Sequence, residues 1–205
     1  KKLFLDGGND TYITSDSSDL VQYFVGGTEM LRMTEDSTDF VMIPDNVRLS
    51  VGTGNDLQLS HNGSNSFIAN YVGDLTFENH EADKDIIFQT DDGSGGLTPY
   101  LTLDGSATAI KVAKNLELAD SVQLRAGSGD DLKIHHDGSN SFIIGAGTGN
   151  LIISQQTNDA DIILKSDNGS GGTTNYIQLD GSEVETVFNQ KIKVEDSKAF
   201  AIGSG

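Results

Sequence analysis

Two histidines, His61 and His136, stand at the same place in two nearly identical stretches. Residues 56–68 read DLQLSHNGSNSFI and residues 131–143 read DLKIHHDGSNSFI, identical at nine of thirteen positions. Each histidine keeps the parity of the apolar residues before it, Leu57 and Leu59 in one stretch, Leu132 and Ile134 in the other. Alternation with period two places such residues on one face of a strand. Both imidazoles therefore belong at the turn end of an apolar face, where the simplest role is a hydrogen-bonded cap. Were three copies to meet about an axis, each would face two mates, and the resulting cluster of three imidazoles would suit a transition metal or an anion. Acid would then place three like charges together. His135 is one residue off that parity and is expected to face outward, with Ser60 at its place in the other stretch, while His80 stands alone.

The second candidate chemistry is calcium binding. Gly52-Thr53-Gly54-Asn55-Asp56 and Gly127-Ser128-Gly129-Asp130-Asp131 share a G-x-G-x-D pattern with calcium β-roll repeats, and residues 6–10 are a looser echo. Such rolls stack turns every nine residues so that carboxylates and carbonyls surround each ion. Here the copies stand 75 residues apart (56 and 131), and leucine follows the aspartate directly. Glycine-rich turns with Asp56 and Asp131 leading into strands are favoured, with calcium at these two residues kept as the alternative. Catalysis has little to stand on: no G-x-S-x-G elbow, phosphate-binding loop or H-E-x-x-H occurs. Acidic pairs such as Asp91/Asp92 are expected by chance in so acidic a chain, and neighbours on a strand face opposite ways. The chain reads as a non-enzyme without a resident cofactor.

The elements that must position these residues recur as a set. DIIF at residues 85–88 returns as DIIL at 161–164, DDGSGG at 91–96 as DNGSGG at 167–172, and YLTLDGS at 100–106 as YIQLDGS at 176–182. The spacing there is 76, so the second copy has one extra residue between Ile143 and Leu151. Residues 46–120 and 121–196 are thus two full repeats, 1–45 a shortened and divergent one, and 197–205 the start of another. The chain is expected to be a window on a longer repetitive polypeptide. Alternating segments (Leu57/Leu59, Leu101/Leu103, Leu116/Leu118, Leu132/Ile134, Ile192/Val194) read as short strands. Asn62-Gly63, Asp137-Gly138, Asp104-Gly105 and Asp180-Gly181 read as hairpin turns. A four-residue loop over 137–140 puts Ile134 opposite Ile143 and His136 opposite Ser141. Pro44 and Pro99 lie beside strands, as edges or bends require.

Composition sets the partners. Of 205 residues only 36% are hydrophobic and 7% aromatic, with 24 glycines and no tryptophan, too little for one thick core. Regular strands with so poor a core imply burial between chains. The net charge of −18 repels phosphate backbones and anionic bilayers, which excludes nucleic acid and membrane surfaces as partners. No apolar run reaches the length of a membrane span. Absence of cysteine removes disulfides, thiolate zinc sites and thiol nucleophiles.

The DLxIxHDGSNSFI stretch with its following G-T-G-N-L, the LxLDGS unit and YFVGGTEMLRM at residues 23–33 resemble the repetitive tail-fibre and virion structural proteins of tailed bacteriophages, those of marine cyanobacterial phages above all. The resemblance covers most of the chain. It implies an all-β, extended repetitive structure, β-hairpin or β-helix-like, wound as an intertwined homotrimer. It implies a non-catalytic shaft or adhesin in a virion, with other tail proteins as neighbours and a host surface glycan or protein as the target. A secreted calcium-binding β-roll adhesin is the first alternative, and a polysaccharide-degrading tailspike the second.

Overall fold

The computed structural model describes residues 1–35, 37–196 and 198. The opening of a further repeat expected at 197–205 therefore lies, apart from Lys198, outside the described residues. Among those described, the chain is all-β, without helices, in short antiparallel sheets. It forms two compact units, residues 1–115 and from Leu116 onward.

The first unit begins with a five-stranded meander: β1 (Leu3–Phe4), β2 (Tyr12–Thr14), β3 (Leu20–Val25), β4 (Thr28–Thr34) and β5 (Phe40–Met42). Gly26 and Gly27, both at positive φ, turn β3 into β4. Two three-stranded meanders follow: β6 (Arg48–Val51), β7 (Leu57–His61) and β8 (Ser66–Asn70), then β9 (Ile86–Asp91), β10 (Leu97–Asp104) and β11 (Ala109–Val112). The second unit has the same order: β12 (Leu124–Ala126), β13 (Leu132–His136) and β14 (Ser141–Gly145), then β15 (Ile162–Asp167), β16 (Thr173–Asp180) and β17 (Glu185–Phe188). Every pairing among the described residues joins strands adjacent in sequence, and all are antiparallel.

The two copies match in backbone detail as well as in order. The hairpin loops at 62–65 and 137–140 close through Asn62 N donating to Asn65 O at 3.1 Å and Asp137 N to Asn140 O at 3.0 Å. Ile134 pairs with Ile143 and His136 with Ser141, the register expected from a four-residue loop. A bulge at Tyr100 in β10 recurs at Tyr176 in β16 and at Met30 in β4. Pro99 sits beside that bulge, where β10 has β9 on one side and lies beyond the reach of β11, so the lost N–H costs no ladder bond. Tyr71 N donates to Asp56 O and Ala146 N to Asp131 O, each at 2.7 Å. Gly73 and Gly149, both at positive φ, are already 76 apart, so the extra residue of the second copy enters between Ala146 and Gly149.

Each three-stranded sheet carries a row of apolar side chains straight across one face. Leu49, Leu59 and Ile68 stand abreast in one, Leu124, Ile134 and Ile143 in its counterpart. Phe88, Leu101 and Val112 match Leu164, Ile177 and Phe188 in the other pair. Within each unit no strand of one sheet packs on a strand of another. No hydrophobic side chain is buried among the described residues, and only Thr14 and Asp104 are buried at all.

Two expected strands are not formed by the chain alone. Residues 116–118 and 192–194 alternate as strands do, yet belong to no sheet. The pattern specifies which face is apolar and not which edge a strand joins; β11 and β17, the outer strands of their sheets, stay unpaired on their far sides.

Candidate functional site

His61 ends β7, and its ring lines an open apolar concavity of about 480 Å³ with Ile43, Val47, Leu49, Leu59 and Ile68. His61 also borders the opposite face, beside Arg48, Gln58 and Ser60, so it stands at the sheet's end between the two. Its Nδ1 lies 2.8 Å from Asp45 Oδ1 and 3.1 Å from the Gly63 amide nitrogen of the hairpin loop. Unprotonated, Nδ1 accepts from the Gly63 amide and caps the turn; protonated, it donates to Asp45 of the preceding segment instead. His136 sits at the same register opposite Ser141 and is exposed, with Nδ1 3.1 Å from Ser141 Oγ. Asp120 stands where Asp45 does, with its Oδ2 near the place a Cβ on Gly138 would fill, but is not bonded to His136.

His135 departs from expectation. Its parity predicts an outward ring, but the ring stacks on Phe142 across the hairpin, centroids 4.9 Å apart and planes at 17°. Its Nδ1 is shut from solvent without a hydrogen-bond partner among the described residues. A cross-strand aromatic partner covers a side chain regardless of which face is the more apolar. His80 is exposed and bonds only Glu78, at 2.9 Å.

Asp56 and Asp131 explain the G-x-G-x-D pattern sterically. Each carboxylate folds back over the glycines of its own turn. A Cβ on Gly54 would come within 2.6 Å of Asp56 Oδ1, and one on Gly129 within 3.1 Å of Asp131 Oδ1. Gly52, Gly127 and Gly147 are approached more closely still. Gly52 and Gly127 also need positive φ, at 89° each. The two aspartates lie in different copies, and no group of three or more His, Asp or Glu side chains is placed to hold a metal among the described residues of one chain.

The remaining motif residues close turns. Asp85 and Asp161, ahead of β9 and β15, accept hydrogen bonds through Oδ1 from the Gly105 and Gly181 amides twenty residues on, at 3.0 and 2.9 Å. That ties the D of DII to the DG of LDGS. A Cβ at either glycine would stand 2.5 Å from a carbonyl oxygen, of Lys84 or Ala160. Sequence reasoning gives these aspartates no role of their own; their joint recurrence in both copies is the signal that could have found them. Asp104 accepts from Lys111, the Ala107 amide at 2.7 Å and Ser106 Oγ at 2.8 Å. Those bonds, Lys111 first, hold its carboxyl far below the usual range. Asp180 makes the turn bonds without a lysine, accepting from the Glu183 amide at 3.0 Å and Ser182 Oγ at 2.7 Å, and is also lowered. Asp92 is brought to about 2 by Ser94, Thr98 and the Ser94 amide, helped by Lys114 at 3.8 Å.

These carboxylates are engaged as acceptors within turns, which fixes backbone, and Asp161 and Asp180 share the Gln178 amide at 2.8 and 3.4 Å. What the surface offers is apolar sheet faces, histidine caps at their turn ends and a rim of Asp, Asn, Ser and Thr. No family model, curated protein or solved structure matches the chain.

Proposed function

We propose that the chain is a non-catalytic structural segment of a viral tail fibre, a homotrimeric shaft or adhesin that supports attachment to a host. One observation carries the assembly: the apolar row on every three-stranded sheet is left uncovered by the chain itself. A three-stranded sheet needs such a face buried for independent stability. The chain exposes 16233 Å² at 21.8 kDa, whereas a compact monomer of that mass exposes about 9,300 Å². The excess of roughly 7,000 Å² exceeds by several-fold the ~800 Å² per partner of a standard interface, and suits an obligate assembly. Three copies turning equivalent sheets inward would cover the rows and bring His61 and His136 toward the axis as sets of three. The extended, fibre-like winding of the chains belongs to this proposal, as do virion location, other tail proteins as neighbours and a host glycan or protein as target. The resemblance of the repeat motifs to bacteriophage tail-fibre proteins supports them.

Light scattering of the purified chain should give three times 21.8 kDa. A stable, folded monomer at micromolar concentration removes the proposal. A melt that collapses on adding a chelator would transfer it to the calcium-stabilised adhesin at Asp56 and Asp131.

A further inference from the structure

Four segments recur in matching places and pair with nothing. Residues 74–77 and 150–153 follow the first sheet of each copy, with Leu75 and Phe77 matching Leu151 and Ile153. Residues 115–118 and 191–194 follow the second, with Leu116 and Leu118 matching Ile192 and Val194. Three of the four alternate like strands, and 150–153 is apolar at Ile152 as well. All nine apolar side chains are exposed. Among the described residues, the backbone amides and carbonyls of these segments enter no backbone hydrogen bond within the chain. Their recurrence at one place in both copies makes them part of the architecture.

The amino-terminal sheet shows what such a segment does when an edge is free. Residues 41–45 (VMIPD), 116–120 (LELAD) and 192–196 (IKVED) are the same element. Each ends in the same turn: Val47 N to Pro44 O, Val122 N to Ala119 O and Lys198 N to Glu195 O, at 3.1, 3.0 and 3.1 Å. The shared bulge aligns β4 with β10 and β16. After β4 no counterpart of β11 or β17 intervenes, and β5 takes that edge, pairing Met33 with Val41 and Thr34 with Phe40. In the full copies β11 and β17 occupy it, so the equivalent segment cannot take that edge.

We infer that residues 74–77, 115–118, 150–153 and 191–194 are strands completed by other copies of this chain, each adding to an open sheet edge of a neighbour. The inference rests on the homotrimer proposed above and names the segments that interlock it. A second copy is the occupant for two reasons. The uncovered area per chain is several times what one standard interface needs. The unpaired segments and the open edges of β6, β8, β9, β11 and their counterparts also recur together in each copy, so another copy of the chain brings an open edge for every segment left unpaired. Strand addition satisfies the free amides and carbonyls and places the alternate apolar side chains on the neighbour's apolar face.

The test is hydrogen exchange on the full chain in its assembled form, with oligomeric mass measured on the same sample. Amides of the four segments should exchange at least ~100-fold more slowly than those of the Gly93–Gly95 turn. Thr76→Pro and Glu117→Pro remove one amide donor each on the polar parity, where the single chain uses neither. They should raise the concentration at half-dissociation at least about tenfold while the trimer's sheets keep their protection. A trimer whose four segments exchange at turn rates, and that ignores both prolines, overturns the inference and leaves the assembly standing. A monomer overturns both.

Discussion

The two full copies share a backbone and differ in how they manage charge. In the first, Lys111 reaches Asp104 across the β10–β11 turn and Lys114 stands near Asp92. In the second, Val187 and Gln190 take the lysine places and Asn168 that of Asp92, while Asp180 keeps the turn bonds and accepts from Gln178 Nε2 at 3.4 Å. At the first hairpin the direction is the same: His61 has Asp45, whereas His136 has a serine hydroxyl. The opposite holds one turn away, where Arg125 meets Asp130 at 2.6 Å in the second copy and the first has Ser50 and Asn55. What the copies have in common is steric and backbone-directed: glycines under carboxylates, aspartate clamps, bulges. The fold is therefore carried by turn geometry, and the ion pairs are additions that each copy places differently. That accords with the small contribution of exposed ion pairs.

The comparison can be broken hardest where the copies are most alike. Gly105→Val and Gly181→Val should each destabilise their sheet by ~1–3 kcal/mol, since the new side chain meets a carbonyl with little freedom to move. Denaturant titration should show equal losses; a tolerated change in one copy would mean the clamp is not shared. Asp85→Ala and Asp161→Ala should cost less, ~0.5–1.5 kcal/mol each, by leaving the Gly105 or Gly181 amide to solvent.

Acid should separate the copies. Asp92 and Asp104 are lowered from the usual carboxylate range, so their contribution is complete above about pH 4 and is lost as pH falls through the lowered values, near 2 for Asp92. Hydrogen exchange at pH 3 against pH 7 should show the β9–β11 sheet losing more protection than β15–β17. Lys111→Met should raise the Asp104 carboxyl toward that of Asp180, read from carboxyl carbon shifts; an unmoved Asp104 would assign its depression to the turn bonds alone. The smallest expected effect concerns the histidine caps. If three imidazoles gather near an axis, each His61 has an Asp45 carboxylate 2.8 Å from its Nδ1 in the first copy, whereas His136 has only the Ser141 hydroxyl in the second. His136→Leu should then improve assembly at pH 5 more than His61→Leu does. Equal melts for both variants and the parent at pH 5 and pH 8 would remove the axial arrangement.

Much of this was legible in residues 56–68 and 131–143. Alternation gave the apolar face, Asn-Gly and Asp-Gly gave the hairpins, and the loop length gave the Ile134–Ile143 register. The repeat gave the matched motif order. Three things were not legible. The bond between Asp85 and Gly105 spans a hairpin, and no local pattern announces a partner twenty residues away. His135 was misplaced because parity says which face a side chain is on and nothing about the Phe142 ring beside it. Residues 116–118 and 192–194 have the pattern of strands and join no sheet, since periodicity reports which face is apolar and never names the edge that pairs with it.

Pairing only between neighbours in sequence also fixes a timetable. Hairpins of this kind close in about 1–10 μs because little loop entropy stands in the way. Covering the apolar rows is a different event, since within each unit no sheet meets another. In the homotrimer proposed above that event is an encounter between molecules, so the slow step of folding should be of higher than first order, speeding up with protein concentration while the hairpin phase keeps its rate.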